Sequence, residues 1–196
     1  MKRAFDLLFS IFILVLFSPF GLVISVLILF SSPGGIFYRQ ERIGKNGVAF
    51  KLYKFRSMRI DSDRSGALTV GMRDPRITRL GIFIRKYKLD EFPQFINVLQ
   101  GEMSIVGPRP EVSEFVALYT EKQKKVLEVK PGITDYASIE YFNENELLAK
   151  ADDAKKTYIE VVMPDKIKIN EKYLENPTLV HDLKIIIKTV LKILRN

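Results

Sequence analysis

LLFSIFILVLFSPFGLVISVLILF occupies residues 7–30 and contains no charged side chain. As one α-helix it would be about 36 Å long, enough to cross a hydrocarbon core of roughly 30 Å. Ser18 and Pro19 fall in its middle. Proline removes a backbone donor, and the serine hydroxyl can bond a carbonyl one turn back, so we expect a helix break with a sharp bend there. This stretch decides the fold because it predicts a membrane anchor.

The flanks of the stretch favour a re-entrant helix hairpin, which enters and leaves on one face of the membrane. Lys2 and Arg3 precede the apolar residues, and a series of basic residues follows them. Both groups prefer the cytoplasmic side. An ordinary kinked transmembrane helix is the alternative, whereas the length of the stretch argues against a cleaved signal peptide. We predict an anchor over 1–35 and a cytoplasmic-face domain over 36–196.

Composition limits the chemistry of the second domain. The chain has no cysteine, which excludes disulfides, thiol nucleophiles and cysteine-ligated metals. A single histidine, His181, argues against a histidine triad or a multi-histidine metal site, and we interpret it as a structural or surface residue. Residues 38–88 hold fourteen Lys or Arg against four acids. Such a field attracts anionic lipid headgroups, nucleotides or nucleic acid.

Residue patterns predict an α/β fold that is mainly helical, with a small strand element. Alternation favours strands at 36–39 and 50–55, joined by a turn, and 61–75 reads as a loop. Helices are expected over 78–88, from about 91 to 100, over 111–129 and over 177–194. The expected buried stripe of the second of these helices is Phe92, Phe95, Ile96 and Leu99. The first and last are amphipathic and basic, which suits a membrane interface, with packing on the core as the alternative.

Two adjacent carboxylates, Asp90 and Glu91, precede Pro93 at the predicted start of a helix. Unpaired backbone N–H groups and the helix dipole at such a corner favour an ionised carboxylate and stabilise a nearby phosphate. The corner could therefore hold both an attacking group and the phosphorus it attacks, giving an acyl phosphate. Acidic residues are also common helix caps, so the pair alone is weak evidence for catalysis.

Several ordered motifs extend this interpretation over nearly the whole chain, from residues 2–6 to 182–184. They closely resemble those of the bacterial sugar transferases of the small monotopic phosphoglycosyl transferase type. The motifs are YKFRSM at 53–58, LDEFPQ at 89–94, NVL at 97–99, GEMS at 101–104, VGPRP at 106–110 and KPGIT at 130–134.

The resemblance implies an enzyme that moves a sugar 1-phosphate from a UDP-sugar to a polyprenyl phosphate, most often undecaprenyl phosphate, and releases UMP. This would be the first membrane step of glycan assembly, on the cytoplasmic face of the bacterial inner membrane. It implies that Asp90 is the nucleophile of a covalent intermediate and that Glu91 is its partner, helping with Mg²⁺ or with the incoming lipid phosphate. Mg²⁺ would be the cofactor, with Asp90 and Glu91 as its ligands. Membrane lipids would be partners, nucleic acid would not, and a homodimer is left open.

The resemblance also assigns further positions. It implies that Lys54, Arg85 and Arg109 bind substrate phosphate, and arginine suits this role because its planar fork can bind two phosphate oxygens. Residues Pro131, Gly132 and Thr134 would lie at the nucleotide or sugar. The re-entrant break would again fall at Ser18 and Pro19.

Two alternatives stay open. Many relatives continue the last motif with a glycine and a glutamine, whereas here Asp135, Tyr136, Ala137 and Ser138 follow, so the identity of the donor sugar is open. The rival function is a membrane-tethered, non-catalytic protein that binds anionic lipid or nucleic acid through the basic region 38–88.

Overall fold

Helices predominate in the computed structural model of the protein, which describes residues 1–60, 62, 68–71 and 74–195. Helices α1 to α9 are Lys2–Ser31, Arg79–Lys86, Gln94–Gln100, Ser113–Val116, Tyr136–Glu140, Glu144–Ala149, Ala154–Thr157, Met163–Leu174 and Leu179–Arg195. Strands β1 to β4 are Phe37–Ile43, Ala49–Phe55, Ser104–Val106 and Gly132–Thr134. The strands form two small sheets, an antiparallel β1–β2 hairpin and a parallel β3–β4 pair. The predicted mainly helical fold with a small strand element is confirmed.

Helix α1 continues through Pro19, so the predicted break at Ser18 and Pro19 is wrong at the level of secondary structure. Pro19 cannot donate to the carbonyl of Val15, and the Ser18 hydroxyl donates to that carbonyl instead, at 2.8 Å. The helix is long and apolar enough to cross a membrane by length and composition. A bend within it and the re-entrant path stay predictions.

Polar side chains fasten both ends of α1 to the rest of the molecule. At its start, Lys2 forms an ion pair with the buried Asp182 of α9. One turn later the buried Asp6 accepts hydrogen bonds from strand β3. At its end, Arg56 donates to the carbonyl of Ser32 at 2.7 Å. The apolar side chains between these two attachments are largely exposed.

The predicted hairpin is confirmed. Strands β1 and β2 pair from Phe37 opposite Phe55 to Ile43 opposite Ala49, and a single turn of 3-10 helix, Lys45–Gly47, connects them. The predicted loop at 61–75 lies partly outside the described residues.

Helix α3 is found where predicted, and Gly101 ends it in the left-handed conformation, but the predicted buried stripe is wrong. The fully buried side chains are Gln94, Asn97 and Val98, whereas the predicted apolar residues are half-buried. The apolar residues face α1, where Phe95 lies 6.4 Å from Phe9 between ring centroids. Asn97 instead faces β2, accepting from the backbone of Tyr53 at 3.0 Å, so a polar contact holds α3 to the hairpin.

The predicted helix over 111–129 is wrong in extent. Only the short α4 and a 3-10 segment at Gln123–Glu128 form within this range. Thr120 and Gln123 exchange hydrogen bonds between backbone and side chain, the reciprocal arrangement that starts a new helical segment. The second helical segment therefore begins after Thr120, separate from α4.

The predicted amphipathic helices α2 and α9 are confirmed. Unlike helices of a protein core, both expose large apolar side chains. In α2, Ile84 is fully buried while Phe83 is 54% exposed. In α9, Asp182 and Ile185 face the core, and most of the predicted apolar stripe is exposed. The exposed members of that stripe are Leu179, Leu183, Ile187, Val190, Leu191 and Leu194. Packing on the core therefore does not account for the apolar face of α9.

Gly81 provides a test of how closely α2 approaches the strand-end segment beside it. A Cβ at Gly81 would lie 1.9 Å from the carbonyl oxygen of Ser57. Alanine in a helix interior normally gains about 1 kcal/mol over glycine, but here the clash should reverse the sign, so we expect Gly81→Ala to destabilise by about 2 kcal/mol. Thermal unfolding in detergent measures this.

The control for this prediction is Gly35→Ala, because a Cβ at Gly35 would meet only the carbonyl of Phe37, at 4.0 Å. Equal unfolding midpoints for the two variants would contradict the close packing of α2.

Candidate active site

The two adjacent carboxylates lie on a tight corner between α2 and α3. A turn of 3-10 helix, Leu89–Glu91, carries them, and Lys88 enters it in the left-handed conformation at φ 55°. A non-glycine residue in that region is uncommon and marks a locally constrained backbone. The corner buries Asp90, which is 5% exposed, and leaves the side chain of Glu91 12% exposed.

Glu91 is held by two cations. The guanidinium of Arg109 donates to both of its carboxylate oxygens, and the Lys54 ammonium lies 3.3 Å from Oε1. Burial alone would raise the pKa of the Glu91 carboxyl, but Arg109 and Lys54 together hold that pKa well below its ordinary value. The same pairing with Glu91 raises the pKa of Arg109. Glu91 is therefore a fixed anion at the centre of the site.

Asp90 has the opposite environment. Its Oδ1 is buried and has no hydrogen-bond partner among the described residues. Burial raises the pKa of the Asp90 carboxyl, and the neighbouring Glu91 raises it further, while Lys54 and Arg85 offset part of this effect. An ionised oxygen without a partner is basic and free to form a new bond.

Lys54 and Arg85 reach the corner from different elements. Lys54 comes from the end of β2, and burial lowers the pKa of its ammonium to about 8 even though Glu91 acts in the opposite direction. Arg85 lies in the last turn of α2 and acts on Asp90 through its charge. The site is thus a carboxylate pair among cations, an arrangement that attracts and positions phosphate.

Strands β3 and β4 support the loop that carries Arg109. Gly107 donates its N–H to Thr134 at 3.1 Å, and Gly132 donates to Pro108 at 3.0 Å. A Cβ on Gly132 would lie 2.1 Å from the nitrogen of Gly107, so glycine is required at this crossing. Gly132 and Thr134 therefore fix the backbone leading to Arg109, and Pro131 joins the same support by accepting from β3.

Two side chains complete the support of this loop. The backbone N–H of Arg109 donates to Asp135 at 2.9 Å, and Arg42 donates to the carbonyl of Pro110 at 3.1 Å. Arg42 also pairs with Glu111 at 3.5 Å. Asp135 thus holds the backbone of Arg109, and Glu91 holds its guanidinium.

The structure brings Asp90, Glu91, Lys54 and Arg109 together, while Arg85, in the last turn of α2, acts on Asp90 through its charge. Contact of nucleotide or sugar with the β4 residues stays a prediction. Ser18 and Pro19 lie within α1. The Nδ1–H of His181 donates to the carbonyl oxygen of Asn176 at 2.8 Å, which agrees with a structural role.

Sequence reasoning missed Arg42 as a functional residue and interpreted Asp135 as a departure near the donor sugar. Arg42 lies on an alternating strand among many other basic residues, and its partner Pro110 is 68 positions away. No local signal distinguishes it. For Asp135, the one available signal was its position directly after the KPGIT motif.

The carboxylate oxygens of Asp90 and Glu91 are the candidate ligands for Mg²⁺ at this site. Among the described residues, no group of three or more His, Cys, Asp or Glu could hold a metal ion. The buried, unpartnered oxygen of Asp90 is one suitable ligand, whereas both oxygens of Glu91 already accept from Arg109. Since Mg²⁺ commonly binds through one or two carboxylates, with substrate phosphates and water as its other ligands, the site fits an ion that arrives with a diphosphate.

Comparisons of the sequence with known proteins identify related transferases. The family model described as bacterial sugar transferase matches residues 1–196. A UDP-N-acetylgalactosamine-undecaprenyl-phosphate N-acetylgalactosaminephosphotransferase of Aeromonas hydrophila is 39% identical over 98% of this chain and 43% of its own length.

A UDP-glucose:undecaprenyl-phosphate glucose-1-phosphate transferase of Escherichia coli (strain K12) is 36% identical over 98% of this chain and 40% of its own length. The exopolysaccharide production protein ExoY of Rhizobium meliloti (strain 1021) is 36% identical over 96% of this chain and 83% of its own length. The chain thus spans about two fifths of two of these relatives and most of the third.

The names of these relatives indicate a transferase, and the long apolar N-terminal helix agrees with association with a membrane. The chain belongs to the bacterial sugar transferase family.

The contrast between the two carboxylates predicts opposite effects on stability. Glu91→Gln breaks a partly buried ion pair, in which Arg109 is 28% and Glu91 12% exposed, and leaves Arg109 and Lys54 without their counter-charge, so we expect it to destabilise by about 3 kcal/mol, the lower end of the cost for a buried pair. Asp90→Asn removes a buried charge without a direct partner, so the unfolding midpoint should stay level or rise. Parallel thermal unfolding of both variants measures the difference, and a larger loss for Asp90→Asn would contradict these environments.

Proposed function

We propose that the protein transfers a sugar 1-phosphate from a UDP-sugar to a polyprenyl phosphate such as undecaprenyl phosphate, with release of UMP. The names of the Aeromonas and Escherichia relatives support this reaction. The observation that carries it is the buried Asp90 oxygen without a partner, set beside a fixed anion and several cations. The relative named for exopolysaccharide production supports a place in glycan assembly.

In the first step, an Asp90 carboxylate oxygen attacks the phosphorus that bears the sugar. The new bond joins Asp90 to this phosphorus, and the bond from phosphorus to the oxygen bridging the two phosphates breaks. UMP leaves with that oxygen. In the second step, a phosphate oxygen of the lipid attacks the same phosphorus, which releases the Asp90 carboxylate and leaves a lipid diphosphate sugar.

The cations supply what phosphoryl transfer requires, which is positioning and charge stabilisation. The bond of Arg109 to Glu91 uses two of its five N–H donors, so the others can bind phosphate oxygens. Lys54 and Arg85 add positive charge beside Asp90, which keeps its carboxylate available despite burial. Glu91 holds Arg109 and Lys54 in place and is the partner of Asp90 in the dyad.

Mg²⁺ is part of this proposal. When bound, it neutralises charge on the diphosphate and on the departing UMP. Asp90 would hold it together with substrate oxygens, and Glu91 would join as a ligand only by exchanging one of its present contacts.

The same proposal includes the placement of α1 at the membrane. Lys2 and Asp6 tie its start, and Arg56 ties its end, to one body of protein. A helix whose two ends are held to one body is best accommodated by entering and leaving on one membrane face, so we infer a re-entrant path at the cytoplasmic face of the bacterial inner membrane. The exposed apolar faces of α2 and α9 would lie at the lipid headgroups, and the lipid phosphate would reach Asp90 there.

The reaction is tested with purified protein in detergent, a panel of labelled UDP-sugars, Mg²⁺ and undecaprenyl phosphate. We expect UMP release and, without the lipid, a labelled protein whose modification maps to Asp90 by mass spectrometry. Asp90→Asn should lower UMP release by more than about a thousandfold, because it removes the nucleophile. Release of UMP at the full rate by Asp90→Asn would refute the mechanism. Binding of anionic lipid without UMP from any donor would instead favour the non-catalytic binding protein.

The re-entrant path is tested by labelling, which the absence of native cysteine makes simple. Ala4→Cys and Gly35→Cys mark the two ends of α1 at exposed positions. We expect a membrane-impermeant maleimide to label both in inside-out vesicles and neither in right-side-out vesicles. Labelling of the two positions from opposite sides would show that α1 spans the membrane.

A further inference from the structure

We propose that Asp135 is a positioning residue for Arg109 and acts through its hydrogen bond to the Arg109 backbone. The assignment rests on the proposed function, in which Arg109 binds substrate phosphate. It gives Asp135 a role in the site that differs from direct contact with the donor sugar.

The carboxylate of Asp135 gathers three donors from three places in the fold. One oxygen, Oδ2, accepts from the backbone N–H of Arg109 at 2.9 Å and from Nδ2 of Asn170 at 2.8 Å. The other accepts from the backbone of Ser138 and so caps α5. Asp135 is only 1% exposed, and Asn170, on α8, is 5% exposed. The contact therefore joins α5, α8 and the Arg109 loop inside the protein.

Capping alone does not explain this burial. Asp153 caps α7 by the same bond, to the N–H of Lys156 at 2.9 Å, and it does so from an exposed position. A buried carboxylate is costly unless its oxygens are hydrogen-bonded. Among the described residues Asp135 forms no ion pair within 4 Å, so the bonds to Arg109 and Asn170 are what compensate the burial of Oδ2.

The sequence of the loop leaves few backbone groups that can hold Arg109 in place. In the run Pro108, Arg109, Pro110 the prolines have no N–H, so the N–H of Arg109 is the only backbone donor. That donor is bonded to Asp135. The carbonyls of Pro108 and Pro110 are held by Gly132 and Arg42, and Asp135 holds the one donor between them, so this carboxylate helps to set the position from which the guanidinium extends toward Glu91.

Asn170 supports the orientation of this carboxylate. Its Nδ2 donates to Asp135, while its own Oδ1 is buried and has no partner among the described residues. An amide held by one bond only, in a buried place, indicates that the bond to Asp135 is the reason for its placement. The resulting chain of contacts runs from α8 through Asp135 and Arg109 to Glu91.

The test is a double-mutant cycle between positions 135 and 109. Asp135→Ser keeps a hydroxyl that can cap α5 and removes the oxygen that reaches Arg109. We expect the kcat of UMP release to fall about tenfold in Asp135→Ser, since misplaced catalytic groups lose rate steeply. In the Arg109→Ala background the same substitution should change kcat less than about twofold, because nothing is left to position.

The affinity for UDP is measured on the same four proteins and gives a readout that does not need turnover. Asp135→Ser should weaken UDP binding several-fold only when Arg109 is present. Asp153→Ser, the same change at an exposed helix cap, should leave both kcat and the unfolding midpoint unchanged. If Asp135→Ser does not fold, Asp135→Asn, which keeps the shape and the cap, replaces it in the cycle.

The outcomes separate this assignment from the proposed function. Equal losses in kcat and in UDP affinity with and without Arg109 would overturn it and leave Asp135 a purely structural residue. An unmodified protein that releases no UMP from any donor would overturn the proposed function, and this assignment with it.

Discussion

The partly buried ion pair between Glu91 and Arg109 is the constraint on which the rest of the site depends. The two residues come from different elements, the corner before α3 and the loop after β3, and a bidentate bond allows little freedom in how these elements meet. Removing one partner of a buried pair costs about 3–5 kcal/mol, and the lower end of that range suits a pair that keeps this much contact with solvent. The β3–β4 pair, the glycine crossing at Gly132 and the contacts of Asp135 all serve to bring Arg109 to this one position.

The polar side of α3 faces the β-hairpin and helps to position Lys54 beside Glu91. An ordinary amphipathic helix would turn its apolar residues to the core, but here the neighbouring α1 is itself apolar and takes them. The side chain of Asn97 faces the β-hairpin. It accepts from the backbone N–H of Tyr53 and donates to the backbone carbonyl of Lys51. This fixes the strand one residue from Lys54, which is how the second cation reaches Glu91.

Local patterns predicted those parts of the fold that local interactions determine. The hairpin, the start of α2, the end of α3 at Gly101 and the long α9 all appear where turn residues, caps and periodicity place them. The predictions failed where tertiary contacts decide: the buried face of α3 depends on α1, and the segment after α4 restarts at Thr120 through a side-chain contact. At the site, the motifs contain the two carboxylates and the cations that the structure places beside them, and the catalytic roles of these residues stay predictions. The roles of Arg42 and Asp135 depend on contacts across 68 and 26 positions, which no single-sequence pattern records.

Neighbours in the chain, Asp90 and Glu91 have environments that drive their pKa values apart. The cations that hold Glu91 lower its pKa, and the anion so fixed, together with burial, raises the pKa of Asp90. Adjacent carboxylates with opposite shifts generally divide the work of a site, one as a fixed charge and one as the reacting group. The negative charge of Glu91 is already compensated by Arg109 and Lys54. The anionic oxygen that remains to face an incoming phosphate is therefore that of Asp90, which has no hydrogen-bond partner among the described residues. The asymmetry of the dyad is therefore a consequence of where Arg109 is held, and it supports the proposal that Asp90 is the reacting group on physical grounds that do not depend on the motif.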